Sequence, residues 1–264
     1  MRPLPALAVA GFRRWSAYRM ATVAGALTNS VFGLLRAAIT VAAVGAAGGV
    51  IAGYSAREVA TYSWLTQALM TVMVLGIWDE LAVRVRTGDI AVDLARPVDL
   101  QLSWLAADLG RAAFVLLPRG LPPLAVGALT TGLALAPSAW SYLLGALSVL
   151  LGVVISFAIR FAVNLSAFWL MDVRGALTLH MVVSGVLSGF IVPVAWFPPW
   201  LGTLASATPF PSMLQTPVDV LSGRVTGAAA AQVVALQALW AVATLGVGRL
   251  VLARATRRLV VQGG

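Results

Sequence analysis

His180 and the two serines after it, Ser184 and Ser188, most invite a chemical reading, because a histidine beside a serine can activate a nucleophile. The run Gly185-Val186-Leu187-Ser188-Gly189 is not a nucleophile elbow, however, and no carboxylate falls mid-way along an apolar run to orient a base. A proton relay or metal site at His180 would need partners, and only Asp172 and Arg174 lie near it in sequence; a histidine satisfied at an interface is the plainer reading. The chain has no cysteine, which excludes disulfides, thiol catalysis and thiolate metal sites. It has no lysine either: all 18 basic residues are arginine. A P-loop places a lysine on the nucleotide phosphates, so this chain cannot itself carry that ATP site.

Of the 264 residues, 60% are apolar and 10% charged. A soluble domain is about 45–50% apolar and about 25% charged. The net charge of +9 does not mark a nucleic-acid binder, because the arginines punctuate long apolar runs as loop charges do in membrane proteins. A membrane span takes roughly 20 apolar residues. That rule predicts an all-α polytopic membrane protein with six transmembrane helices near 24–47, 59–78, 113–135, 139–160, 176–196 and 227–249. The third is the least regular, since Arg119, Pro122 and Pro123 sit in its first half.

One side would hold Arg2, Arg13, Arg14, Arg19, Arg84, Arg86, Arg96, Arg111, Arg160, Arg174, Arg249, Arg254, Arg257 and Arg258, and the other only Arg57 and Arg224. The positive-inside rule then puts both termini in the cytoplasm. Arginine in place of every lysine suggests a GC-rich bacterial genome, hence the bacterial cytoplasmic (inner) membrane. Residues 4–19 mix Phe12, Trp15 and Tyr18 with arginines, as an N-terminal amphipathic helix in the headgroup plane would. No cleavable signal peptide is expected there.

Two loops stand out. The stretch 79–111 carries Asp79, Glu80, Asp89, Asp93, Asp99 and Asp108 with four arginines, interleaved with Val92, Leu94, Val98 and Trp104. Arg96-Pro97 divides it, and a short helix beginning just after would have Pro97 near its first turn and Asp99 at its positive end. Such a mixed element is either a docking surface or a solvated connector. Between the fifth and sixth spans lie Phe197-Pro198-Pro199-Trp200, Thr208-Pro209-Phe210 and Thr216-Pro217-Val218, with intervening pieces too short to cross a bilayer. They predict short re-entrant or interfacial helices.

The run Gly88-Asp89-Ile90-Ala91-Val92-Asp93-Leu94-Ala95-Arg96-Pro97-Val98 resembles the cytoplasmic loop of ABC-2 type permeases, the membrane subunits of ATP-binding-cassette exporters. The Phe-Pro-x-Trp, Thr-Pro-Phe and Thr-Pro-Val patterns, in this order after the fifth span, are also similar to that family, and the likeness covers essentially the whole chain. It implies a non-catalytic half-transporter. A second permease subunit, identical or homologous, would complete the pathway through the membrane lipids, and cytoplasmic ATPase subunits would bind ATP and Mg, leaving no cofactor in this chain. The resemblance assigns coupling to the ATPase to Gly88, Asp89, Arg96 and Pro97, with Asp93 and Asp99 in the same loop. Phe197, Trp200, Pro209, Phe210 and Pro217 mark the re-entrant segment. Drug-like, antibiotic or lipid-like amphipathic cargo is the expectation for export.

Arg36, mid-way along the first span, should face the bundle, a water-filled cavity or a carboxylate; it is a pathway candidate or a structural ion pair. Arg160, Asn164 and Ser166 extend the fourth span toward the cytoplasm, and Asp172 with Arg174 suits a local pair. Gly45 with Gly49, and Gly185 with Gly189, have small-xxx-small spacing. Two rival functions remain. A membrane-embedded enzyme lacks its convergent residues, and an ion-coupled carrier usually needs intramembrane carboxylates, whereas every acidic residue is expected at or beyond a span end.

Overall fold

Four apolar helices are long enough to cross a bilayer, and they form the frame of the computed structural model, which describes residues 3–170 and 172–257. Arg2 and Arg258, counted above in the charge asymmetry, lie outside the described residues. In chain order the elements begin with α1 (Pro3–Ser16), α2 (Arg19–Ala46), a small antiparallel hairpin β1 (Val50–Ile51) and β2 (Tyr54–Ser55), and α3 (Ala56–Met70). Next come α4 (Glu80–Thr87), α5 (Ile90–Leu94), α6 (Leu100–Val115), a π-helical turn (Leu116–Gly120) and α7 (Leu121–Thr130). The chain continues with α8 (Ala139–Asn164), α9 (Arg174–Leu187), α10 (Pro199–Ser206), α11 (Phe210–Met213), α12 (Gln215–Leu221) and α13 (Gly227–Thr256).

The second expected span, 59–78, is helical only to Met70. Fifteen residues rise about 22 Å, short of the roughly 30 Å hydrocarbon core. Val59 to Leu69 are all buried, so α3 is a central helix enclosed by its neighbours. Trp64 fills the groove between α2 and α7, where Gly33 and Gly127 leave room for its ring, and its indole N–H donates to Thr131 at 3.1 Å. A capping box starts α3: Glu58 N–H donates to the Ser55 hydroxyl, and the Ser55 N–H donates to the Glu58 carboxylate at 2.8 Å.

The third span begins at Leu100 rather than 113, and α6, the π turn and α7 run on as one helical rod to Thr130. Pro118 lacks the N–H that the regular ladder needs, and the wider π turn takes up the mismatch. The charged loop therefore spans 79–99, not 79–111. Asp108 and Arg111 belong to the rod, and Asp99 caps its start by accepting from the Leu102 N–H at 2.8 Å. No separate short helix follows Pro97, because that helix is the rod itself.

The first span starts at Arg19, five residues early, and the last extends to Thr256. The fifth, expected over 176–196, ends at Leu187, and Gly189 then turns the chain with φ +80°. The expected short helices after it are α10, α11 and α12. On α13 the buried positions Ala230, Val234, Gln237, Ala241, Thr244 and Gly248 recur at alternating four- and three-residue steps, the seam of a helix packed lengthwise, here against α8. Gln237 pins that seam, donating to the carbonyls of Ser148 (2.7 Å) and Ser212 (2.8 Å) and accepting from the Ser148 hydroxyl (2.8 Å). Such bonds hold helices together where no water competes.

Amphipathic α1 does not lie alone on a surface. It runs antiparallel against α6, with Gly11 facing Ala107 and Gly110 facing Ala8 so closely that any Cβ would strike backbone. Phe12 and Phe114 meet edge to face at 5.3 Å. This end of the molecule carries α1, loop 79–99 and the end of α13, and is called the loop end below; the β1–β2 hairpin marks the opposite, hairpin end.

Candidate functional site

Loop 79–99 is a rigid base with an exposed tip. Leu81 and Ile90 are fully buried against Leu100, Phe157, Phe161 and Leu165, fastening α4 and α5 to α8. Gly88 ends α4 in the left-handed region (φ 83°), which only glycine adopts without strain, and so turns the chain into α5. Around it Val83, Arg86, Asp89, Ala91, Val92, Arg96 and Pro97 are exposed. Of the expected coupling residues, Gly88, Asp89, Arg96 and Pro97 thus lie together on the tip. Asp93 and Asp99 do not. Asp93 is turned inward as a brace, held by Arg84 at 2.5 Å and approached by Arg96 at 3.7 Å. Asp99 is spent on capping the rod and on an ion pair with Arg249 of α13.

Beneath the loop, α8 presents Ser156, Arg160 and Asn164 at four-residue spacing on one face. The Ser156 hydroxyl donates to the Met73 carbonyl. Asn164 donates to the Trp78 carbonyl (2.9 Å) and accepts from the Ala82 N–H (3.0 Å). Between them Arg160 bonds Asp108 at 2.9 Å, and Asp108 also holds Arg111 at 2.6 Å. Arg111 in turn donates to the carbonyls of Thr71 (3.0 Å) and Val72 (2.7 Å). Residues 71–79, which are not helical and include Val74 at φ 51°, owe their order to these side chains. The bonds engage the carbonyls of Thr71, Val72, Met73 and Trp78, while Gly76, Ile77 and Asp79 stay exposed.

One sequence expectation is corrected by this ladder. Asp108 is not beyond a span end; it is a buried carboxylate within the rod. Two arginines hold it there. Arg160 and Asn164, read as an extension toward solvent, are fully buried. The Ser166 hydroxyl is buried with no partner among the described residues.

Arg36 faces the bundle. It donates to Gln67 (3.2 Å) and to the carbonyls of Phe190 and Ile191, with its guanidinium 4.3 Å over the Phe190 ring. It finds backbone dipoles where α9 has ended, and no carboxylate. His180, Ser184 and Ser188 are all buried, and His180 Nε2 and the Ser188 hydroxyl have no hydrogen-bond partner among the described residues, so the histidine is not satisfied as expected. The Ser184 hydroxyl donates to the Met181 carbonyl, and nothing here activates a nucleophile. Asp172 accepts from the Arg174 N–H at 2.9 Å. Among the described residues no group of three His, Asp or Glu side chains could hold a metal. Gly45, Gly49 and Gly185 face open space, whereas a Cβ on Gly189 would press on Gln215 and Tyr62.

The hairpin end is tied shut by a second polar cluster. Arg224 donates to the Gly53 carbonyl (3.0 Å), lies 3.5 Å over the Tyr54 ring and sits 3.9 Å from Glu58 and 4.0 Å from Asp219. Gln215 donates to both Asp219 oxygens (2.9 and 2.8 Å) and accepts from the Tyr62 hydroxyl (2.6 Å) and the Val194 N–H (3.1 Å). Burial pushes the Asp219 carboxyl up to about 6, against the opposing pull of Gln215 and Arg224. Of the expected re-entrant residues, Pro217 is buried in α12, Phe197 leads into α10, Trp200 is exposed on α10, and Pro209 and Phe210 open α11. Neither polar cluster was expected from sequence. The only signal was four-residue spacing of polar side chains on apolar helices, as in Ser156, Arg160 and Asn164.

Long apolar helices around a short buried central helix, with a braced charged loop at one end, define a polytopic α-helical membrane protein. The chain belongs to the ABC-2 transporter family: the family model described as ABC-2 family transporter protein matches residues 31–263. No curated protein and no solved structure matches it. Membership makes the chain the membrane-spanning permease of an ABC transporter, a non-catalytic part that works with ATP-binding-cassette ATPases.

Proposed function

We propose that this permease is one half of an exporter, pairs with a second identical or homologous permease, and docks a separate ATPase on the tip of loop 79–99. The loop end then faces the cytoplasm, an orientation that the exposed Arg13, Arg86, Arg96 and Arg254 support, and both termini lie on that side of the inner membrane. One observation carries the reading: the tip around Gly88 is exposed and mixed in character, while its base is locked into α8 and the rod through Leu81, Ile90 and Asn164. A displacement imposed on the tip by ATP-driven closure is therefore passed to the long helices rather than absorbed by the loop. A small amphipathic cargo, drug-like, antibiotic or lipid-like, suits a largely apolar bundle with few fixed charges.

Co-purification tests the reading. The permease should retain an ATPase subunit, and Pro97→Ala or Asp89→Arg should weaken that assembly without preventing membrane insertion. Normal assembly and normal coupled hydrolysis in both variants would overturn the docking assignment. Transport by the purified chain without an ATPase would overturn the whole reading.

A further inference from the structure

A cavity of about 530 Å³ opens at the loop end between α1, α5 and α6, a size typical of small-ligand sites. Its walls are mostly apolar, built from Pro3, Ala6, Leu7, Val98, Trp104 and Ala107, with Arg14, Arg84, Arg96 and Asp93 also lining it. The charges do not cancel. Arg14 is held by Glu80 through both terminal nitrogens (3.1 and 2.7 Å), which keeps its guanidinium charged and raises its pKa. Arg84 is held by Asp93 at 2.5 Å. Arg96 has only a 3.7 Å approach to the same Asp93, and its side chain is 63% exposed. Three arginines thus face two carboxylates, and the surplus positive charge sits on Arg96 at the rim of an apolar cleft.

We propose that this cavity binds an anionic phospholipid, its phosphodiester on Arg96 and its upper acyl stem along Leu7 and Trp104. A phosphodiester carries the single negative charge that neutralises the surplus, and a guanidinium binds it through paired N–H donors. A free inorganic anion would have no use for the six apolar walls. A lipid does, and α1 suits one: it leaves apolar Val9 half exposed on its outer face, as a helix at a headgroup interface would. The site lies between α1 and the loop that bears the proposed docking tip, so an occupied cavity would brace the two together. It rests on the chain's place in the membrane and not on the ATPase reading.

The test uses the full-length chain in nanodiscs without any ATPase, and phosphatidylglycerol with a photoactivatable acyl chain as the probe. Cross-links should concentrate in residues 3–14 and 98–107 and be competed by unlabelled phosphatidylglycerol, not by phosphatidylcholine or inorganic phosphate. Arg96→Glu should lower them about fivefold or more, while Arg86→Glu, the same charge change on an exposed neighbour outside the cavity, should not. Equal labelling in Arg96→Glu, an equal loss in Arg86→Glu, or competition by phosphatidylcholine or inorganic phosphate would overturn the proposal. Because no ATPase is present, failure here leaves the docking reading standing, and failure of docking leaves the lipid site standing.

Discussion

Asp108 is the residue on which the loop end turns, since Arg160 and Arg111 both close on it in the protein interior. Removing the shared carboxylate strands buried charge on both arginines, which costs about 3–5 kcal/mol. Asp108→Asn should therefore lower the thermal midpoint of the purified protein by far more than Asp172→Asn, whose carboxylate is exposed. Arg36 holds the chain just after α9, so Arg36→Gln should loosen residues 188–191, seen as faster amide exchange there. Asp219 gives a pH signature at the hairpin end. Its carboxyl is raised to about 6 from the ordinary 3.8, so the folded state holds a proton there that the unfolded state releases between those values. Stability from this group is therefore gained as pH falls from about 6 toward 4 and absent above that window. The difference in thermal midpoint between wild type and Asp219→Asn should shrink across that range as the carboxyl becomes neutral; a constant difference would refute the shift.

Pairs of elements are set by glycines that permit contact, not by those that merely repeat. Gly45, Gly49 and Gly185 have the spacing of a packing motif and touch nothing in this chain, while Gly11 and Gly110, on separate elements, bring α1 and α6 into backbone contact. Gly110→Leu should release α1, read as faster exchange or proteolysis over residues 3–16 with the α8–α13 seam unaffected. Gly88 has open space where a Cβ would go, so Gly88→Ala should cost only the strain of its left-handed backbone, about 1 kcal/mol, confined to α4 and α5.

A polar cluster stands at each end of the molecule, and α3 and the long helices join the two ends. At the loop end Asn164, Arg160 and Ser156 fasten residues 71–82 to α8; at the hairpin end Arg224, Gln215 and Tyr62 fasten α12 to β2 and α3. Arg224→Ala should speed amide exchange at both 50–58 and 215–221 without altering 80–94, because the cluster it breaks does not reach the loop end. Simultaneous loosening of both ends would mean that they are one cooperative unit.

Long uncharged runs were enough to read the class of fold, the place of the charged loop and the short helices after α9, because partition into a bilayer depends on local composition and length alone. Asp99 was also legible, as a residue type that begins helices. The end of α3 at Met70 was not legible, because apolarity says only that a segment leaves water, not how far it stays helical or whether lipid or protein receives it. The rod's true start at Leu100 was hidden by Asp108 and Arg111, which look like loop charges until Arg160, 52 residues away from Asp108, is seen to neutralise the carboxylate. Charges buried in pairs depend on partners brought together by folding, and that pairing is what the tertiary structure alone decided.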